Sequence, residues 1–303
     1  MTYDMIILGG GPAGMSAALY AYRQNLRFIL ISTNLGGLAN YVPSLKAYLG
    51  YQYITGFELI EKFREHLSQC KVAIKNETVT KLIKERSWFV VKTGRKEHKT
   101  KTIIIATGRR FKELNIPGES KFMHKGVHDC TICDGPVYKN KITAIIGGGR
   151  TGLYATLFML KVAKKIYLIE KDSHLKTDGG LSQIASIIKK NSKVTILPNT
   201  VPLEIKGEKA ANSIMLSTKG KIHSLSVDGV FVEVGHEPNT EFAKGLVRMN
   251  VKKEIIVNEE CKTNVPGIFA AGDVTVLQEK QVVVSVGEGA KAALSTVLYL
   301  EEL

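Results

Sequence analysis

The chain has 303 residues, 44% hydrophobic and 23% charged, a balance that excludes wholesale disorder and, at roughly 100–200 residues per domain, predicts two domains or one large one. Lysine and arginine number 42 against 28 aspartates and glutamates, a net charge of +14 that favours acidic partners. The basic residues lie in short clusters, Lys92–Lys101, Arg109–Lys112 and Lys161–Lys165, without an aromatic-interleaved stripe, so no nucleic-acid partner is expected.

The opening Met1-Thr2-Tyr3-Asp4 carries no basic leader, and no apolar run reaches the roughly 18–20 residues of a membrane span, which predicts a cytoplasmic protein without a membrane partner. Met5–Leu8 reads as a strand, Gly9-Gly10-Gly11-Pro12-Ala13-Gly14 as a glycine loop, the stretch through Tyr22 as a helix and Phe28–Ile31 as the next strand. Lys81–Ile83, Trp88–Lys92 and Thr102–Ile105 read as a small meander ending in Ala106-Thr107-Gly108. Leu114–Gly118 and Gly235–Thr240, marked by Pro and Gly, are read as paired hinge crossings. Between them Ile142–Ile146, Gly147-Gly148-Gly149-Arg150-Thr151-Gly152, a helix to about Val162 and the strand Ile166–Ile169 repeat the first pattern. A short strand ends in Ala271-Gly272-Asp273, and a last helix is expected from about Val286, opening on Gly287-Glu288-Gly289. The fold class is α/β: two Rossmann-like (three-layer ββα) dinucleotide-binding domains, one inserted in the other, with residues 1–115 and 245–303 outside and 116–244 inside.

Each glycine loop fits GxGxxG framed by strand and helix. Its glycines allow a tight turn and let backbone N–H groups approach a pyrophosphate at the positive end of the helix. Four cysteines are too few for a disulfide framework in a chain of this length. Cys70 and Cys261 stand alone and read as buried or inert, whereas Cys130-Thr131-Ile132-Cys133 is a Cys-x-x-Cys pair able to close a small disulfide at a helix start, where the thiol pKa is lowered. The competing chemistry is zinc held by His128, Cys130 and Cys133, but no second Cys-x-x-Cys completes the set, so no metal is expected. His128 itself reads as a lone surface histidine.

The segment Cys130-Thr131-Ile132-Cys133-Asp134-Gly135, with its place just before the second glycine loop, resembles the redox motif of the low-molecular-weight thioredoxin reductases, and the similarity spans essentially the whole chain. The resemblance implies an FAD enzyme, a homodimer with two domain arrangements, in which Gly9, Gly11, Pro12, Ala13, Gly14, Gly36, Gly37, Ala106, Thr107, Gly108, Gly272, Asp273, Lys280, Gln281 and Val282 contact the cofactor. It further implies that Asp273 binds the ribitol and that Gln281 and Val282 meet the flavin ring. Cys133 is then the sulfur nearer the flavin, Cys130 attacks the disulfide of a thioredoxin-like partner, and Asp134 is the acid/base. One departure from generic FAD folds is that Ser32-Thr33-Asn34, not an acid, follows Phe28–Ile31.

The electron donor depends on the inner loop, where Gly147, Gly149, Arg150, Gly152 and Glu170 are either a nucleotide site or its vestige. Members of the resembled family that use NADPH carry an arginine cluster after the second strand, whereas this chain has Glu170-Lys171-Asp172-Ser173-His174-Leu175-Lys176, whose carboxylates repel a 2′-phosphate. Glu170 lies 18 residues after Gly152, near the ~20 expected of an acid that binds a ribose, although it also reads as a solvated strand end. Arg150 would either cover the pyrophosphate or grip it. With the net charge added, the ranking is ferredoxin or a similar acidic electron protein first, NADH second and NADPH third. The competing functions are an oxygen-coupled dithiol oxidase and a non-catalytic flavin sensor. Peroxide-reductase relatives carry an extra N-terminal domain for which 303 residues leave no room.

Overall fold

The computed structural model describes residues 2–42, 45–94, 96–177 and 180–303; Met1 and Arg95, the latter within the Lys92–Lys101 cluster, lie outside the described residues. The chain divides into two compact units, Met1–Arg110 with Glu237–Leu303, and Phe111–His236.

The first limb of the outer unit runs β1 (Thr2–Gly10), α1 (Pro12–Arg23), β2 (Phe28–Leu35), α2 (Gly56–Gln69), β3 (Ile74–Lys75), β4 (Lys81–Lys84), β5 (Phe89–Thr93) and β6 (Lys96–Ile105). β1 is central, pairing parallel with β2 and with β6, so that Met5 faces Phe28 on one side and Thr102 on the other. Met5, Ile6, Ile7 and Leu8 have no exposed surface, as expected of a parallel strand covered on both faces. Met5, Ile7, Leu30 and Ile104 pack under the helices, while Ile6, Leu8, Ile29, Ile31 and Ile103 pack under the β4–β5–β6 meander with Leu82, Phe89 and Val91. Period-two alternation thus builds three layers from one sheet.

The inner unit contributes α3 (Glu119–Phe122), β8 (Val127–His128), α4 (Thr131–Asp134), β9 (Ile142–Ile146), α5 (Arg150–Met159), β10 (Lys165–Ile169), α6 (Ser182–Lys190), β11 (Val194–Leu197), β12 (Thr200–Gly207), β13 (Ala211–Thr218), β14 (Lys221–Ser226) and β15 (Gly229–Val232), preceded by β7 (Arg109–Phe111) and followed by β16 (His236–Pro238). Its sheet order is β11-β10-β9-β15-β8, with a separate β12-β13-β14 sheet. One face of the parallel sheet packs on α5 and α6 and the other on the small sheet, so this unit is also three-layered. The chain then returns to the outer unit through β17 (Ile268–Ala270) and α7 (Val282–Glu301).

Three details differ from the sequence expectation. The units divide at Arg110 and Glu237 rather than at 115 and 245, because Arg110 donates to Glu237 and Glu241 and Ala243 sits in the outer core with Ile6 and Leu8. The paired crossings are β7 and β16, not Leu114–Gly118; the Glu119 carboxylate instead accepts from the N–H groups of Leu114 (2.9 Å) and Asn115 (2.7 Å) and folds that segment into a turn of the inner unit. The last helix starts at Val282, four residues before the expected Val286. Gly289 lies inside it because a Cβ there would strike the Ala13 carbonyl of α1. By length and composition alone α7 could cross a membrane, but Ala292, Ala293 and Thr296 are buried and the first two belong to the outer core.

Candidate active site

In the outer unit the predicted glycine segments converge. Gly9 has φ +104° and a Cβ on it would collide with the carbonyl of Ala106 and with Thr107, while one on Gly14 would collide with the carbonyl of Gly9. The Gly36 N–H donates to the Gly10 carbonyl at 2.7 Å, and the side of Gly37 that would bear a Cβ lies 3.7 Å from the Gly11 Cα. α1 begins at Pro12 with no side-chain cap, and a Cβ on Gly11 would meet nothing within 4 Å. The result is a helix N-terminus with open space in front of it, the geometry that receives a pyrophosphate. Gly272 (φ +76°) approaches Ala13, and Ser285 donates at 3.1 Å to the Asp273 carboxylate, whose pKa burial pushes up. Gln281 caps α7 from an extended conformation without a side-chain bond, leaving that helix start open as well. Thr107 and Gly108 are fixed through Asn239, whose Nδ2 donates to the Thr107 carbonyl (2.8 Å) and whose N–H donates to the Gly108 carbonyl (3.0 Å). Lys280 behaves differently from its neighbours: its ammonium donates to the Thr275 carbonyl at 2.6 Å and lies 3.7 Å from Glu254, so it is engaged inside the fold.

The inner loop repeats this architecture. Gly147 has φ +117°, Gly149 faces open space at the uncapped start of α5, and Gly152 is pressed against the Gly147 carbonyl. Arg150 is the first residue of α5 and is exposed. The backbone N–H of Gly10 donates to Ser32 Oγ at 3.0 Å, and that of Gly148 donates to Glu170 Oε2 at 2.6 Å, in both cases across 22 residues. Ser32 and Glu170 therefore occupy equivalent places. Glu170 is 4% exposed and its other oxygen accepts from the Asp172 N–H at 2.9 Å, which corrects the solvated strand-end reading. The Lys176 N–H closes the following loop onto the Gly148 carbonyl at 3.1 Å, and its Nζ lies 3.8 Å from Asp172.

Glu233, at the C-terminal edge of β15, has no counterpart in the sequence reading. Its carbonyl accepts from Thr151 Oγ1 at 2.8 Å, and burial, reinforced by Asp129 and opposed by hydrogen bonds with Thr131, pushes its carboxyl up to about 7. Because the folded pKa lies above the ordinary 4.5, folding takes up a proton between those values, so stability falls as pH rises through the window and the full penalty, about 3 kcal/mol, stands above it. Glu233→Gln is expected to stabilise the chain by up to about that amount at pH ~8 and by little at pH ~4, read from urea denaturation at both pH values. An equal effect at the two pH values would contradict this origin.

Cys130 and Cys133 are disulfide-bonded, with Cα atoms 5.4 Å apart, so the sulfurs are engaged with each other and His128 does not join them as a ligand set. Cys130 caps α4 and its Sγ accepts from the Cys133 N–H at 3.2 Å, a bond that stabilises a thiolate at that position. Cys130 is 7% exposed, whereas Cys133 is the exposed residue of the pair. Asp134 Oδ2 lies 3.1 Å from His128 Nδ1, and His128 is 5% exposed, which corrects the reading of a surface histidine. The remaining thiols are placed as expected in one case only. Cys261 is fully buried, with burial and then Glu288 pushing its pKa up to about 12, while Cys70 is half-buried.

The family model for pyridine nucleotide-disulphide oxidoreductases matches residues 3–289. The chain belongs to that family. It is 37% identical over 302 residues to an alkyl hydroperoxide reductase subunit of Staphylococcus aureus, covering 98% of this chain and 59% of that protein, so it spans about three-fifths of the curated relatives it matches. Among solved structures it is similar to the thioredoxin reductase of Lactococcus lactis, with a TM-score of 0.86 and 32% identity over 99% of this chain and 100% of that one. It is also similar to a ferredoxin-flavin thioredoxin reductase of Clostridium acetobutylicum, with a TM-score of 0.57 and 32% identity over 100% of this chain and 98% of the other. FAD is the cofactor of this family, and the outer cradle fits it: two uncapped helix starts, open space at Gly11 and a half-buried carboxylate at Asp273 present the groups that a pyrophosphate and a polyol require.

Proposed function

We propose that the chain is an FAD-dependent disulfide reductase that takes electrons from NADH and passes them through Cys130–Cys133 to the disulfide of a thioredoxin-like protein, working as a homodimer in the cytoplasm. The observation that carries this reading is a redox disulfide placed in the same compact unit as a glycine loop whose supporting acid, Glu170, is buried with its carboxylate under the loop. Gly9, Gly11, Pro12, Ala13, Gly14, Gly36, Gly37, Ala106, Thr107, Gly108, Gly272, Asp273, Gln281 and Val282 would hold FAD, with Lys280 supporting them from inside the fold. When bound, FAD supplies two-electron relay between the donor and the disulfide. In the inner unit Gly147, Gly149 and Gly152 shape a second anion seat, Arg150 stands beside it, and Glu170 remains able to accept from a ribose hydroxyl through its free lone pairs. The carboxylates of Glu170 and Asp172 repel a 2′-phosphate, and Lys171 and Lys176 give it no bidentate grip, which disfavours NADPH. Asp134 supplies and accepts the proton of the exchanging thiol.

A second donor, ferredoxin or a similar acidic electron protein, is favoured by one observation, the net charge of +14. Anaerobic titration of the FAD-loaded chain with NADH, NADPH and reduced ferredoxin, followed by flavin absorbance, separates the donors. Bleaching is expected with NADH at concentrations at least tenfold below those needed with NADPH. Bleaching by reduced ferredoxin alone would overturn the NADH assignment.

A further inference from the structure

The inner unit brings together two histidines and a carboxylate to which the proposed reaction gives no common role. One ligand atom from each of His124, His128 and Asp134 lies within 4.8 Å of the other two. His128, on β8, is 5% exposed. Its Nε2 is 2.8 Å from Tyr138 Oη, and its ring packs against Tyr138 and Phe231 with centroids 5.4 and 5.5 Å away, so it has little freedom to turn. Its Nδ1 is buried and has no hydrogen-bond partner among the described residues, although Asp134 Oδ2 stands 3.1 Å from it. Buried nitrogens are normally satisfied. A nitrogen and a carboxylate oxygen held at that separation without a hydrogen bond are spaced as two ligands of one ion: atoms about 2.1 Å from a shared metal, at angles of about 90–110°, are about 3.0–3.4 Å from each other.

We propose that His124, His128 and Asp134 form a binding site for one divalent ion of the zinc class. Two imidazoles and a carboxylate suit such an ion, and with three protein ligands a water completes the tetrahedron. Mg²⁺ and Ca²⁺ prefer oxygen donors throughout. When His128 ligates through Nδ1, Nε2 keeps its proton and donates to the Tyr138 hydroxyl, the outer hydrogen bond that fixes the tautomer and orientation of a metal-bound histidine. His124 is exposed, with its ring 6.5 Å from that of His128, and is free to close the remaining distance. The turn that delivers it is fixed: His124 has φ +60°, its N–H donates to the Val127 carbonyl at 2.8 Å, and the Lys125 and Gly126 carbonyls accept from Ala211 and Val230, each at 2.8 Å. The set differs from the His128, Cys130 and Cys133 set weighed from the sequence, because the two sulfurs are joined in a disulfide. An ion held here joins the turn, β8 and the end of α4.

The test uses the FAD-loaded full chain with Cys130–Cys133 oxidised, freed of metal with a chelator that is then removed. Zn²⁺ alone is titrated in at pH ~7 in competition with a chromophoric chelator. One Zn²⁺ per chain, with a Kd of about 1 μM or below, is expected, and Mg²⁺ in about 100-fold excess does not displace it. His124→Ala, His128→Phe and Asp134→Asn each weaken binding at least tenfold, that is, by roughly as much as or more than the loss of an outer-shell partner. His124 is exposed and Asp134 half-buried, so their variants test the site even if His128→Phe fails to fold. His223→Ala, on an exposed residue of β14, and Cys70→Ser leave the affinity unchanged. Absence of saturable Zn²⁺ binding up to ~100 μM, wild-type affinity in His124→Ala or Asp134→Asn, or an equal loss in His223→Ala or Cys70→Ser would overturn the proposal. The titration needs neither a donor nor turnover, so a chain that accepts electrons from no biological donor would defeat the proposed function and leave this readout intact.

Discussion

Cys133→Ser and Cys130→Ser each reduce turnover with a protein disulfide by roughly 10³-fold or more while leaving the flavin content unchanged. The two effects separate because the parts belong to different compact units. Cys130 and Cys133 lie in Phe111–His236, and the glycine cradle is built from Met1–Arg110 and Glu237–Leu303. Serine keeps the size of the side chain but can neither form the disulfide nor supply a thiolate near neutral pH. The variants are expected to differ in thiol pKa: the Cys130 Sγ receives the Cys133 N–H, so the Cys130 thiol that remains in Cys133→Ser is expected to deprotonate at lower pH than Cys133 in Cys130→Ser, read from the midpoint of the pH profile of alkylation. Retained turnover in both variants would remove Cys-x-x-Cys exchange from the account.

Glu170→Ala raises the KM for NADH by roughly 10–100-fold with little change in the rate of disulfide reduction when dithionite replaces NADH. The carboxylate accepts from the N–H groups of Gly148 at 2.6 Å and Asp172 at 2.9 Å while 4% exposed. Its removal leaves both donors without an acceptor under the loop and takes away the acceptor for the ribose. Glu170→Gln is the milder change, since its amide oxygen can keep one of the two bonds and its NH₂ must face the other donor. An unchanged KM for NADH in both variants would assign the acid to loop architecture alone and favour an acidic protein donor.

Much of this fold was legible because its two halves follow one rule. An apolar strand, a glycine loop and a helix mark each Rossmann-like unit, and Met5–Leu8 and Ile142–Ile146 fall in the centres of their sheets. What was not legible depended on contacts distant in sequence. Gly287-Glu288-Gly289 reads as the opening of the last helix, yet α7 begins at Val282 and Gly289 lies inside it, where it meets Ala13. The unit boundary follows from the pairing of Arg110 with Glu237 and Glu241 across more than a hundred residues. His128 sits on a two-residue strand that pairs with Val230 and Phe231, too short for a periodic signal. The 22-residue offset shared by Ser32 and Glu170 was available in the sequence as a repeat, and it was the one signal that could have identified Glu170 as a buried loop acid.

The most direct measurement is thiol counting by mass spectrometry after the FAD-loaded chain is incubated anaerobically with excess NADH and then alkylated without denaturation. Two added groups beyond those found without NADH, located on Cys130 and Cys133, with Cys261 unmodified inside the core, are the predicted result. A chain whose flavin is fully bleached by NADH while Cys130 and Cys133 remain joined would contradict it.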